Sequence, residues 1–186
     1  MKEIEKMKLG QWYDANNDQE LINQRLVAKD ICYYYNLTLP SDIAKRNEWL
    51  TKLFGYLPNH LEVVQPFYCD YGSNIKIAEH VFINSNCYFM DGGLITIGKN
   101  VFIGPNCGLY TATHALEANK RNQGLEKALP ITIEEDVWIG GNVVILPGVT
   151  IKKGSVIGAL SIVNKDIEED TIAVGNPIKI IRKIEQ

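Results

Sequence analysis

The 186-residue chain has no apolar run near the roughly 20 residues that a bilayer-spanning helix needs, so no membrane span is expected. Its opening stretch, MKEIEKMKLGQWYDANND, contains no apolar segment of about 7–15 residues, and a secretory signal is not expected either. Positive charge is not in excess. Lys and Arg total 19 against 22 Asp and Glu, giving a net charge of −3 and a sequence pI near 5.6. That balance speaks against binding nucleic acid by broad phosphate neutralisation. Cysteine is sparse: Cys32, Cys69, Cys87 and Cys107 form no CxxC pair and no metal-ligand cluster. Free thiols in a cytoplasmic protein, acting as small apolar filler, are the expectation. Histidine is scarcer still, with three in the chain. A zinc centre built on three convergent histidines would need all of them, so no metal is expected. The remaining composition, 46% apolar and 22% charged, is that of one ordinary globular domain.

What the chain does have is glycine, 15 residues mostly in its second half, and a change of texture near residue 58. Before that point apolar residues follow a helical period. Leu21, Ala28, Cys32 and Tyr35 fall on one face of a helix that Asp18 caps and that Asn36 and Pro40 end. A second helix begins at Ser41 or Asp42, carries Trp49, Leu50, Leu53 and Phe54 as its apolar stripe, and closes at Gly55 and Pro58. Two short helices cannot bury both stripes alone, so they must pack on the rest of the chain.

After residue 58 the period is six. Ile133, Ile139, Ile145, Ile151, Ile157 and Val163 recur at that step, and four residues after each stand Val137, Val143, Val149, Ser155, Ser161 and Ile167. An earlier block fits the same frame: Ile77, Ile83 and Phe89, then Ile97, Ile103 and Leu109 after a slip of two residues around Asp91-Gly92-Gly93. Glycine follows the aliphatic at Gly98, Gly104, Gly140 and Gly158. Neither a 3.6-residue helix nor an alternating strand has this period. A short strand followed by a tight corner does, and such hexads mark a parallel β-helix whose coil takes three of them. On that spacing Cys69, Cys87 and Cys107 share one interior slot and are expected to stack.

Between Leu109 and Pro130 the hexads stop. The polar stretch from Thr111 to Glu126 is too long for a corner, and long interruptions of a packed scaffold are commonly functional. His114 stands where the coil ends and this stretch begins. A histidine at a loop edge on a rigid scaffold is a candidate catalytic residue, and a solvated or structurally satisfied side chain is the other reading.

Several segments, taken in order, resemble one known family. They are Trp12-Tyr13-Asp14-Ala15 with the two helices, Cys69-Asp70-Tyr71-Gly72, Asn84-Ser85-Asn86-Cys87 and Tyr110-Thr111-Ala112-Thr113-His114. They continue with Val137-Trp138-Ile139-Gly140-Gly141, Leu146-Pro147-Gly148-Val149-Thr150-Ile151 and Ala173-Val174-Gly175-Asn176-Pro177. Together they look like a maltose/galactoside O-acetyltransferase of the hexapeptide-repeat acyltransferases. The resemblance implies a mainly β chain, a left-handed parallel β-helix with a small N-terminal helical cap. It divides the chain into a maltose-acetyltransferase-type cap over residues 1–58 and an acetyltransferase unit over 59–186, with an inserted loop at about 112–130. It also implies a cytoplasmic homotrimer with active sites between subunits, acetyl-CoA as co-substrate, a sugar acceptor, and no metal.

Carried over residue by residue, the resemblance makes His114 the general base for a sugar hydroxyl. Asn84 becomes a contact to acceptor and reacting centre, and the Gly141 N–H an oxyanion donor beside the thioester. Asp70 and Asp91 fall at acceptor-pocket positions, with Asp14 a further acceptor candidate, while Gly92 stands where galactoside enzymes have a second acidic residue. Ala159 matches a contact to the pantetheine arm, and Asn164, Lys165, Lys179 and Arg182 lie near the nucleotide end, where cations suit phosphates. Lys179 replaces an arginine and gives up bidentate phosphate geometry. Two other readings share the fold: an O-acetyltransferase acting on a xenobiotic such as an antibiotic, which usually lacks the helix pair, and a non-catalytic scaffold, against which the presence of both His114 and Asn84 argues.

Overall fold

The structure is a computed structural model describing residues 1–185. Three helices come first: α1 (Glu3–Lys8), α2 (Gln19–Leu37) and α3 (Ile43–Phe54). Asp18 caps α2 by accepting from the Leu21 N–H at 2.9 Å, and Asp42 caps α3 by accepting from the Lys45 N–H at 3.1 Å. Gly55 ends α3 in the left-handed conformation, φ +80°. Leu21, Ala28, Cys32 and Tyr35 of α2 are all buried, as are Leu50, Leu53 and Phe54 of α3, while Trp49 stacks on Tyr34 at the rim. The short α1 has no counterpart in the sequence reading. Only Met7 of it is buried, which leaves no apolar stripe to detect; acidic residues in its first turn and lysines in its last suit the helix dipole.

The rest of the described chain winds into a solenoid of about six turns with three faces of parallel strands. A threonine face stacks Ile75–Ile77, Ile95–Ile97, Ile131–Ile133 and Thr150–Ile151, pointing Lys76, Thr96, Thr132 and Thr150 outward. An aromatic face stacks Glu62–Val63, Phe82–Ile83, Phe102–Ile103, Trp138–Ile139, Val156–Ile157 and Thr171–Val174. A tyrosine face stacks Phe67–Cys69, Cys87–Met90, Gly108–Tyr110, Val144–Ile145 and Ile162–Val163, with Tyr68 and Tyr88 outside. The hexad aliphatics all point inward and are buried. Each such isoleucine contributes on the order of 1.5–3 kcal/mol.

The coil length is not constant. Lower coils repeat every 18 residues, as in Trp138 beside Val156 and Val144 beside Ile162. Upper coils repeat every 20, as in Tyr68 beside Tyr88 and Phe82 beside Phe102. The two extra residues lie at the corner from the tyrosine to the threonine face, at 70–74 and again at 90–94. This corrects the cysteine stack at Cys69, which lies beside Phe89 while Cys87 lies beside Phe67; Cys107 does share the slot of Cys87, one position before the Tyr88–Gly108 pair. Cys69 instead faces α2, with its Sγ 3.8 Å from that of Cys32. All four thiols are free and buried, as filler should be.

The hexad glycines serve close approach rather than unusual backbone angles. A Cβ on Gly104 would lie 2.6 Å from the Gly141 nitrogen, and one on Gly140 2.6 Å from the Ala159 nitrogen. Left-handed φ angles fall instead on His80, Asn100, Asp136 and Asp170 at one corner and on Asn86, Asn106, Asn142 and Leu160 at the next.

Both ends of the solenoid are closed. At the first coil the Asn36 side chain donates to the Phe67 carbonyl at 3.0 Å and accepts from its N–H at 2.9 Å. Tyr35 and Arg46 donate to the Val63 carbonyl. At the last coil Lys179–Lys183 turns back antiparallel on Thr171–Val174. Helices and coils share one hydrophobic core. The interruption is not a loose loop. Ala112–His114 and Leu125–Ala128 pair antiparallel around the short helix α4 (Ala118–Arg121), and Tyr13–Asp14 adds a third strand to this arm. No helix among the described residues is long and apolar enough to cross a membrane.

Candidate active site

The arm grows from the same corner that is widened in the two coils before it, and a cleft of about 380 Å³ opens between arm, corner and α2. Arg25, Asp70, Tyr71, Tyr110, His114 and Glu126 line it. His114 is exposed on the strand Ala112–His114, and its Nδ1 lies 3.1 Å from the Leu125 carbonyl oxygen. A carbonyl can only accept, so Nδ1 carries a proton, and in the neutral ring Nε2 is then the atom with the lone pair. Strand pairing sets the rest of the row: His114 is opposite Glu126, and Glu126 opposite Tyr13, so the three side chains leave the arm on one face.

Two carboxylates in the cleft are each held by a tyrosine. Tyr88 Oη donates to Asp70 Oδ1 at 2.6 Å, and buried Tyr13 donates to Glu126 Oε1. Burial first, then the carboxylate partner, pushes both phenols well above their ordinary range, so they remain donors. Arg25 donates to the Tyr71 hydroxyl at 2.7 Å and to the Ala15 carbonyl, which fixes its guanidinium at the cleft wall.

Two expected acceptor residues are placed differently. Asp91 is buried, and its Oδ1 accepts from the Asp70 and Tyr71 N–H groups at 2.9 and 2.8 Å. It holds the widened corner of the coil above rather than lining the cleft. Its Oδ2 has no hydrogen-bond partner among the described residues, and burial raises its pKa to about 7, with the nearby Asp70 charge adding to the rise. Asp14 lies beside the cleft, but its carboxylate accepts from the Asn16 and Asn17 backbone and the Asn17 amide, closing a turn. Asn16 and Arg25 take the cleft wall instead.

Asn84 is not beside His114 within one chain. It lies at the corner from the aromatic to the tyrosine face, in a separate groove of about 480 Å³ with Phe82, Phe102, Gly104 and Trp138. That groove continues down a corner without bulk, because Gly104 stacks on Gly140 and Gly141, and Gly140 on Ala159.

The capping motif of maltose acetyltransferases matches residues 6–58, the six-repeat hexapeptide of bacterial transferases residues 130–165, and the hexapeptide repeat of succinyl-transferases residues 94–112. A protein of Staphylococcus aureus (strain MRSA252) bearing an acetyltransferase name is 57% identical over 185 residues, covering 100% of this chain and 93% of that protein. The crystal structure of a maltose O-acetyltransferase from Clostridium difficile 630 superposes with a TM-score of 0.97 at 45% identity, covering 100% and 99% of the two chains. A galactoside acetyltransferase in complex with coenzyme A gives 0.94 at 37%, covering 100% of this chain and 92% of that one. The chain belongs to the maltose/galactoside O-acetyltransferase family. It is an acetyltransferase of the hexapeptide-repeat type.

The residues that family resemblance assigned to the cofactor fall in three places in this acetyltransferase. Gly141 and Ala159 lie on the bare corner below Asn84. Asn164 and Lys165 are exposed one corner further around the coil, after Ile162–Val163, and Lys179 and Arg182 lie on the exposed final strand. Among the described residues no group of three His, Cys, Asp or Glu is placed to hold a metal, and His60 stacks on His80 with ring centroids 4.4 Å apart. The sequence reading missed Glu126, Tyr13 and the role of Arg25. The signal for Glu126 was the antiparallel row on which it stands, which is visible only once the interruption is known to be a hairpin.

Proposed function

We propose that this acetyltransferase moves the acetyl group of acetyl-CoA to a hydroxyl of a sugar of the glucose, maltose or galactoside type, with His114 as general base. The observation that carries this reading is the Nδ1 contact to the Leu125 carbonyl, which leaves Nε2 free to accept a proton in a cleft lined by carboxylate, guanidinium and amide groups suited to a polyol. As the acceptor oxygen attacks the thioester carbonyl, its proton passes to Nε2. The new C–O bond forms, the C–S bond breaks, and the imidazolium returns the proton to the departing thiolate. Asn84 and the Gly141 N–H steady the oxyanion. Asp70 accepts an acceptor hydroxyl. Ala159 lies along the pantetheine arm, Asn164, Lys165, Lys179 and Arg182 serve the nucleotide end, and no metal is required.

Because Asn84 and His114 lie in different grooves of one chain, the working unit is a homotrimer in which the bare corner of one subunit faces the arm of the next. The outer faces support this. Phe102 and Trp138 are 54% and 57% exposed and Tyr68 42%, whereas the remaining face shows lysine and threonine to solvent. The cap over residues 1–58 and the coil unit over 59–186, with its insertion at about 112–130, are the two parts of this reading; Gln186 lies outside the described residues. A cytoplasmic location suits the four free thiols.

The test is thiol release from acetyl-CoA with glucose, maltose or a galactoside as acceptor. His114→Ala is expected to lose about 10²–10⁴-fold of the rate with its circular dichroism unchanged, and an undiminished rate overturns the reading. Mixing inactive His114→Ala and Asn84→Ala protomers is expected to regenerate activity at sites that pair an intact residue from each. Mixtures that exchange subunits yet stay inactive remove the interfacial site.

A further inference from the structure

The cleft has a carboxylate, that of Glu126, beyond those that the resemblance assigned to the acceptor. Galactoside enzymes have an acidic residue at the position of Gly92, and here that position is blocked. A Cβ on Gly92 would lie 3.0 Å from Tyr13 Oη and 3.8 Å from Glu126 Oε1. The φ of Gly92 is not in the left-handed region, so the backbone would accept a side chain; the tyrosine hydroxyl is what fills the space. Tyr13 in turn is buried and spends its proton on Glu126.

We propose that Glu126 is a specificity-determining residue of this enzyme, supplying from the arm the hydroxyl-binding carboxylate that the corner at Gly92 lacks, with Tyr13 as its positioning residue. The inference rests on the sugar-acceptor reading given above. Glu126 stands directly opposite His114 in the arm, one strand spacing from the base, and lines the same cleft. Its Oε1 is occupied by Tyr13, while Oε2 has no hydrogen-bond donor among the described residues. A carboxylate with one oxygen fixed and one open accepts a hydroxyl at a defined point. Asp70 has the same arrangement, with Tyr88 on Oδ1. Two tyrosine-fixed carboxylates from different elements, the corner and the arm, thus read two separate hydroxyls of one acceptor, and an acceptor lacking the hydroxyl at Glu126 binds poorly.

The experiment compares wild type, Glu126→Gln, Tyr13→Phe and the triple variant Tyr13→Phe/Glu126→Gln/Gly92→Asp. Each is assayed with the preferred sugar and its single-deoxy analogues, and acceptor binding to the CoA-loaded protein is followed by calorimetry. Wild type is expected to disfavour one deoxy analogue by about 10–100-fold, the range for a hydrogen bond to a charged group. Glu126→Gln is expected to raise the acceptor KM by about 10-fold or more and to bring that discrimination close to one, with the acetyl-CoA KM unmoved. Tyr13→Phe is expected to show the same effect in weaker form. The triple variant, with the carboxylate moved to the corner, is expected to recover part of the discrimination. A Glu126→Gln enzyme with wild-type acceptor KM and deoxy ratios overturns the proposal. So does one whose only change is a displaced pH profile of kcat, because Glu126 would then act on His114 alone. If wild type neither binds nor acetylates any sugar while still binding CoA, the acceptor reading itself falls, and this inference with it.

Discussion

The lower coils, from Ile131 to Val163, and the upper coils, from Phe67 to Tyr110, are built from the same hexads but differ at one corner. In the lower coils the turn from tyrosine face to threonine face takes the minimum number of residues, and the repeat is 18. In the upper coils it is widened to give a repeat of 20, and in the third coil it opens into the whole arm. The regular corners are closed by backbone packed on backbone, and what they leave is an open groove poor in polar side chains, such as the one beside Asn84. The widened corner leaves a floor of peptide groups that must be held some other way, and Asp91 holds them. Titratable side chains converge where the repeat fails, because there they have space; the regular corner contributes Asn84 and bare backbone.

The most damaging way to break this contrast is to crowd a regular corner. Gly140→Ala places its Cβ 2.6 Å from the Ala159 nitrogen, and neither backbone can retreat without disturbing the coil below. A stability loss of about 3 kcal/mol or more is expected in urea unfolding. Gly92→Ala, at the widened corner, crowds the Tyr13 hydroxyl at 3.0 Å and otherwise makes ordinary contacts with Ala128 Cβ at 3.5 Å and Glu126 Oε1 at 3.8 Å, so it is expected to cost less, about 1 kcal/mol. Equal losses at both sites would remove the distinction.

A middle-sized effect is expected from Asp91. Its carboxyl is held to about pH 7 in the fold by burial, above the ordinary carboxylate value near 4. A raised folded-state pKa means that the unfolded chain loses its proton first, so the contribution of this carboxyl is full below about pH 4 and is lost as pH rises to about 7. Asp91→Asn keeps an acceptor for the Asp70 and Tyr71 N–H groups and cannot ionise. It should flatten that dependence, removing at most about 1.4 kcal/mol for each pH unit of the window in denaturant unfolding at stepped pH. A variant with the wild-type slope would show that Asp91 does not carry it.

The smallest effect belongs to the outside of the lower coils. Lys152 and Glu168 pair at 2.7 Å across adjacent turns, but both are solvent-exposed. Lys152→Ala is expected to leave the melting temperature unchanged within error. A clear drop would mean that the regular coils depend on surface charge as well as on their interior.

The same contrast explains what could be read from the chain. Ile133 through Val163 announce coil, face and interior slot because each hexad repeats the same packing problem. Cys69 shows the limit: an unbroken count of 18 puts it on Cys87, and the widened corner moves it beside Phe89. His114 was legible by its place at the end of the hexads. Glu126 was not, because its neighbours Tyr13 and His114 are separated from it by 113 and 12 positions and joined only by strand pairing. Asp91 carries the residue type of a pocket carboxylate, and its burial depends on a corner whose width no local pattern encodes. The separation of Asn84 from His114 is likewise a property of three-sided winding, which places residues 30 apart on different edges of the prism.

A repeating coil has no intrinsic reason to stop, since each turn presents the next with a ready row of amide and carbonyl groups. This chain supplies stoppers of different kinds at its two ends: Asn36, Tyr35 and Arg46 satisfy the first turn from the helices, and Lys179–Lys183 reverses direction against the last. Each stopper takes up backbone groups that a further coil would otherwise pair with. Association through the sides of a prism would end in a closed ring or continue as an open stack, according to its symmetry. The molecule's length is therefore a built quantity, fixed by its terminators rather than by the repeat that fills the space between them.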